Sequence, residues 1–141
     1  MPWMIAAKER LTRLFSRSPI LDLPALKRAL GASSRTTVFH ALSAAGYFSS
    51  YSHAGRYYTL ANIPRFDEDG LWAHGEALFS KDRTLRATLQ RLIVTAPTGK
   101  THAELQARLR LNVHNTLLNL VADNKISRAE IEGLYLYASG D

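Results

Sequence analysis

The stretch Asp22-Leu23-Pro24-Ala25-Leu26-Lys27-Arg28-Ala29-Leu30-Gly31-Ala32-Ser33-Ser34-Arg35-Thr36-Thr37-Val38, running on to Ala41-Leu42-Ser43-Ala44-Ala45-Gly46-Tyr47-Phe48, decides how this chain is read. Asp22 can cap the free amides of a helix, and Pro24 is tolerated in its first turn. The apolar face is Leu23, Leu26, Ala29 and Leu30, and Gly31 marks the end. A second helix is predicted from Ser33 or Ser34 to about Ala45, with Val38, Ala41, Leu42 and Ala45 as its buried stripe. Gly46 ends it. There the period changes from helical to alternating. Tyr47 to Tyr51 reads as a strand, Ser52-His53-Ala54-Gly55 as a turn, and Arg56 to Leu60 as the returning strand.

Working outward, Trp3 to Ser16 carries Ile5, Leu11, Leu14 and Phe15 at helical spacing, and Pro19 stops that helix. After Leu60 the composition shifts. Residues 61–79 form an acidic connector with turn signals at Pro64 and Asp67-Glu68-Asp69-Gly70, and a short extra strand within Leu71 to Phe79. Ser80 is placed as the cap of a helix carrying Leu85, Leu89, Leu92 and Ile93. Thr101 opens the next helix with Glu104 three residues on, the spacing of a capping box. Asn112 opens a third through Val113, Leu117, Leu120 and Val121. Ile126 to Tyr137 alternates again.

The same order therefore occurs twice. Leu11-Thr12-Arg13-Leu14-Phe15 matches Leu89-Gln90-Arg91-Leu92-Ile93, each with proline four residues later. Leu26 and Leu30 match Leu105 and Leu109, Thr37-Val38 matches Thr116-Leu117, and Gly55-Arg56-Tyr57 matches Gly133-Leu134-Tyr135. The offset is 78 to 79 residues throughout. Each copy is near 60 residues, a length that buries only a marginal core. The two copies are therefore expected to pack on each other, or at least to share the connector as a bracket. The expected fold class is mainly α with small β-hairpins (α+β), divided into residues 1–60, 61–79 and 80–141.

The charge balance points to a partner. Eighteen Lys and Arg stand against twelve Asp and Glu, a net of +6. Residues 1–60 carry a net +6, residues 61–79 a net −3 and residues 80–141 a net +3. A basic surplus of this kind favours polyanions. The chain has no cysteine, which removes disulfides and thiolate metal sites. Apolar runs are too short for a membrane span or a signal peptide, so the expected location is the cytoplasm.

Helix, short helix, turn, helix and β-hairpin in this order resemble the winged helix-turn-helix DNA-binding superfamily, in two tandem copies. The resemblance rests on the quoted stretch and covers most of both copies, leaving out the connector. It implies that the helix after Gly31 lies in the major groove, with Ser33, Ser34, Arg35, Thr36 and Thr37 at the base edges and His40 one turn on. It implies a wing carrying Tyr51, Ser52, His53 and Arg56, with Lys27 and Arg28 contacting phosphate. In the second copy the matching residues are Asn112, His114, Asn115 and Arg128, although Glu130 and Glu132 beside Arg128 would repel phosphate. The expected partner is double-stranded DNA, bound by a transcriptional regulator or by the targeting part of a larger DNA-processing protein, with a homodimer or a fused or partner protein as a further contact. Phe39, on the outer edge of its helix, is expected to pack against the first helix, and Leu118 matches it.

Chemistry-bearing motifs are scarce. His40, His53, His74, His102 and His114 lack the helical two-histidine spacing of a metal site. No glycine loop has phosphate-cradling spacing, and no nucleophile has an adjacent base. The expectation is a chain that is not an enzyme, without cofactor or metal, in which Asp67-Glu68-Asp69 forms a solvated turn. The rival class is a protein-interaction scaffold that uses the same surfaces on a partner chain.

Overall fold

The computed structural model describes residues 2–31 and 34–140, with side chains from residue 5 onward. It divides into two compact units, Met1–Arg83 and Thr84–Asp141. Both are built from short helices and small antiparallel sheets, an α+β architecture. No described helix is long and apolar enough to cross a membrane.

The first unit begins with α1 (Pro2–Arg17), which buries Ala7, Leu11 and Phe15 along one face. A two-residue strand, β1 (Leu21–Asp22), leads into α2 (Leu23–Leu30). Asp22 is both the strand's last residue and the helix cap, its carboxylate accepting the Ala25 N–H at 3.0 Å. Gly31 ends α2 in the left-handed conformation, φ 62°. There glycine avoids the Cβ penalty. Ala29, placed by its spacing on the apolar face, is exposed. Helix α3 (Arg35–Ala45) is capped by Ser34, whose hydroxyl accepts the Thr36 N–H. It packs Val38, Ala41 and Leu42 against α1 and α2.

The hairpin after α3 is shorter than its alternation suggests. It consists of β2 (Tyr47–Ser49), a tight turn over His53–Gly55, and β3 (Tyr57–Leu60). With β1 it makes a sheet of order β1-β3-β2. Tyr58 and Leu60 point to the helices, while Phe48 points to the opposite face. That second face is covered by a further hairpin, β4 (Leu71–His74) and β5 (Ala77–Ser80). Phe48, Ala77 and Phe79 form a small core there, with Phe66 and Trp72 packed around it. The Tyr51 N–H donates to the Leu78 carbonyl at 2.8 Å, and the Arg83 guanidinium donates to the Tyr47 carbonyl at 2.6 Å.

Residues 61–83 are therefore not a free connector. They are a two-stranded layer of the first unit. The physical reason is the apolar surplus on the back of a three-stranded sheet, which one helical layer leaves uncovered. The acidic triplet is a turn: the Asp67 carboxylate accepts the N–H groups of Asp69 and Leu71 at 2.9 and 3.0 Å. Ser80 does not cap the next helix. It ends β5, fully buried, and its hydroxyl accepts the Asp82 N–H. Thr84 is the cap, accepting the Ala87 N–H.

The second unit repeats the order. It comprises α4 (Leu85–Val94), β6 (Lys100–Thr101), α5 (His102–Leu109), α6 (His114–Ala122), β7 (Ile126–Ile131) and β8 (Leu134–Ser139). The sheet order β6-β8-β7 is that of β1-β3-β2. Strand pairing fixes the equivalences. Leu21 faces Tyr58 and Lys100 faces Tyr137, so Tyr58 corresponds to Tyr137, 79 residues on. Both are buried, at 6% and 1% exposure. The sequence match of Tyr57 with Tyr135 is thus corrected, since Tyr135 is exposed on the outer hairpin. Asp22 and Thr101 are equivalent caps, and Gly31 and Arg110 are equivalent left-handed terminators.

Thr101 and Glu104 form the capping box in full, with reciprocal bonds of 3.0 and 3.1 Å. The Thr101 backbone N–H, then the Thr101 side chain and more weakly Lys100, hold the Glu104 carboxyl below the usual carboxylate range. A depressed carboxyl stabilises the fold above its unfolded pKa, and this contribution disappears as pH falls through the folded value. The second unit is expected to lose stability as pH drops below about 4, and Glu104→Gln should flatten that part of the profile in denaturant unfolding. An unchanged acid limb in Glu104→Gln would show that the box does not act this way.

Candidate nucleic-acid interface

The outward face of α3 follows from its burial. Val38, Ala41 and Leu42 point inward, which turns Thr36, His40 and Ser43 outward at i, i+4 and i+7. All three are exposed, as is Arg35 in the first turn; Thr37 is half-buried on the flank. Ser34 faces solvent while capping the helix. Ser33 lies outside the described residues. Ser43 was not among the sequence candidates, although its spacing from Thr36 places it on their face.

Phe39 has a specific neighbourhood. Its ring meets Tyr58 edge-on at 5.4 Å and Tyr47 at 6.0 Å. Phe39 is half-buried against the core cluster that includes Ala7, Leu11 and Phe15 of α1, and its ring contacts add the sheet. The Arg35 guanidinium lies 5.0 Å from the Phe39 ring centre, within cation–π range. This contact holds the arginine along the helix beside the aromatic cluster. Burial pushes the Tyr58 hydroxyl above the usual phenol range, with the charge of Arg35 acting in the opposite direction and Tyr47 reinforcing the rise.

The turn between β2 and β3 presents His53 and Arg56, both exposed. The His53 ring packs edge-on against Tyr57 at 5.2 Å, and its Nδ1 lies 2.9 Å from the Ser52 hydroxyl. Ser52 itself is corrected. It is 5% exposed, and its hydroxyl accepts the Leu78 N–H at 3.0 Å, so it braces the turn from beneath. Tyr51 is half-buried, with its backbone tied to β5. The most exposed part of this hairpin is therefore the His53–Arg56 tip, with Tyr51 half-buried beside it.

On α2, Arg28 is exposed and Lys27 half-buried. A further basic surface lies on α1. Arg10, Arg13 and Arg17 line a shallow groove with Leu14 and Ala29. Their spacing of three and four residues is that of one helix face, although the sequence candidates did not include them. No described carboxylate forms an ion pair with these three.

No protein family, curated protein or solved structure matches this chain.

In the second unit the equivalent helix α6 exposes His114, Asn115 and Asn119. Asn112 serves the start of α6, its side-chain oxygen accepting the His114 N–H at 2.9 Å. The helix begins two residues later than Asn112, because Val113 is buried as the cap residue. Leu118, the counterpart of Phe39, is 36% exposed. Arg128 is exposed on β7, its guanidinium 4.5 Å from the Tyr135 ring centre. The α6 and α3 faces differ in charge: α3 starts with an arginine, whereas no arginine or lysine lies between Arg110 and Lys125.

Proposed function

We propose that the chain binds double-stranded DNA through a tandem winged-helix arrangement, with the first unit as the reader. The supporting observation is the outward face of α3: Arg35, Thr36, His40 and Ser43 are exposed together on a capped helix, and His53 and Arg56 are exposed at the tip of the hairpin that follows it. A helix of this width fits the major groove, where arginine bonds guanine with two donors and hydroxyls bond either base or phosphate. The Arg10, Arg13, Arg17 and Arg28 side chains supply phosphate contacts, which orient without reading sequence. Such a module acts as a transcriptional regulator or as the targeting part of a larger DNA-processing protein.

The test is duplex binding across a salt series. Log affinity is expected to fall linearly with log salt, by about 0.9 per phosphate neutralised. Arg35→Ala is expected to cost about 1–3 kcal/mol and to relax sequence preference in a randomised-duplex selection. Arg13→Ala is expected to weaken all duplexes alike. Absence of duplex binding at low salt would remove the proposal.

A further inference from the structure

Strand β7 lies at the edge of its sheet, paired on one side only, with β8. Its equivalent in the first unit, β2, is also an edge strand, but one only three residues long and covered. The β5 backbone and Arg83 bond the β2–turn segment there. Nothing among the described residues does this for β7, which is six residues long. A long, uncovered edge presents a row of free amides and carbonyls and pairs readily with another strand.

The hairpin geometry says which groups are free. Ile131 and Leu134 close a two-residue turn, Glu132-Gly133, with both φ values positive (53° and 81°). Such a turn closes on a hydrogen-bonded pair. The backbone groups of Ile131, Ala129 and Ser127 therefore point to β8, and those of Glu130 and Arg128 point outward. The pairing of Tyr137 with Lys100 on the far side of β8 has the phase this requires.

We infer that β7 is the contact strand of a twofold dimer of this chain, paired antiparallel with β7 of a second copy and centred on Ala129. Three considerations select that register. Facing residues must share a sheet face, so Arg128 can meet only Arg128 or Glu130 near the centre. Centring on Arg128 or on Glu130 sets like charges opposite each other, which is unfavourable. Centring on Ala129 places Arg128 against Glu130 of the second copy, and Glu130 against its Arg128. Both are the outward-pointing positions, so each pair also exchanges backbone hydrogen bonds. The arrangement is self-complementary, as an isologous contact must be. It sets the tip of one hairpin beside the root of the other, with Ile131 facing Ser127. Ile131 and Leu134 are 53% and 62% exposed in the single chain. With Ala129 and Leu136 on the same face, they form an apolar stripe that continues across the dimer axis. Arg128 is thereby assigned to this contact and not to phosphate. The inference does not depend on the DNA-binding reading and holds or fails separately from it.

The experiment uses the whole chain, in which every cysteine is introduced because the natural sequence has none. Sedimentation equilibrium is expected to show a concentration-dependent dimer. Arg128→Glu and Glu130→Arg should each weaken it on the order of tenfold by creating two like-charged pairs, and the double exchange should restore it. Ala129→Cys should link two chains under mild oxidation, since facing residues at such a site are about 4.5 Å apart. Ser127→Cys should not, being displaced by four residues, about 13 Å. A chain that stays monomeric at its highest soluble concentration overturns the inference. So does a dimer whose strength ignores the charge exchange, or equal crosslinking at both cysteines.

Discussion

Phe79→Ala is expected to destabilise the first unit by about 3–5 kcal/mol, the range for emptying a buried aromatic site. Phe79 has no exposed surface. Its ring lies 5.4 Å from that of Trp72 and in the same cluster as Phe48 and Ala77. Phe79 is the largest fully buried side chain of this cluster, so its removal leaves the largest void there. The effect extends past the cavity. Loosening β5 weakens the bonds from Tyr51 to Leu78 and from Leu78 to Ser52, and these hold the His53–Arg56 tip. Urea unfolding read by tryptophan emission should report the change, since both tryptophans, Trp3 and Trp72, lie in the first unit. The DNA-binding reading adds a second expected result: a Phe79 variant still folded at low temperature should bind duplex more weakly, with the salt slope reduced. A loss below about 1 kcal/mol would mean that the β4–β5 layer is not part of this core.

That layer shows where the sequence is least explicit: it suggested an extra strand but not that a hairpin would cover the sheet. The caps were legible: Asp22, Thr101 with Glu104, and Gly31 all act as their residue types require. So were the stripes Val38-Ala41-Leu42 and Leu89-Leu92-Ile93, because helical periodicity is a local signal. Leu71 to Phe79 suggested one short strand, on the weak alternation of Glu76 to Phe79, and the chain makes two, Leu71–His74 and Ala77–Ser80. All four residues of the second are buried, so it does not alternate and its signal is faint. The two-residue strands β1 and β6 are too short to carry any period, and each runs straight into a helix cap. Ser52 was misread for a related reason. A serine in a turn looks solvated, but its partner is an amide 26 residues away, and no local pattern encodes that. The outward face of α3 was legible except for Ser43. Arg35, Thr36 and His40 share the helix start or its outer face, and Ser43 sits one turn beyond where the recognition positions were sought.

Gly99→Ala is expected to cost about 2–4 kcal/mol, from a left-handed backbone and a backbone collision together. Gly99 has φ +77°, and a Cβ there would stand 2.6 Å from the Tyr137 carbonyl oxygen. That oxygen belongs to β8, where it faces β6, so the strain cannot be relieved by turning a side chain. The glycine also explains the repeat's change of offset. Pro19 matches Pro97 at 78 residues, whereas Asp22 and Thr101, the equivalent caps, are 79 apart. The second copy has one extra residue in this short turn, and the chain passes so close to β8 that a residue without Cβ occupies it. Gly31→Ala is the matched control. Its φ is +62°, but a Cβ there meets nothing within 4 Å, and its equivalent Arg110 adopts φ 63° with a full side chain. Gly31→Ala should therefore cost no more than about 1 kcal/mol, part of the strain being offset by a less flexible unfolded chain. Far-UV circular dichroism melts of the two variants separate the contributions. A large loss at Gly99 with a small one at Gly31 assigns the difference to the contact with Tyr137; equal losses would leave backbone strain as the sole cause and remove the close approach of this turn to β8 from the account of the second unit.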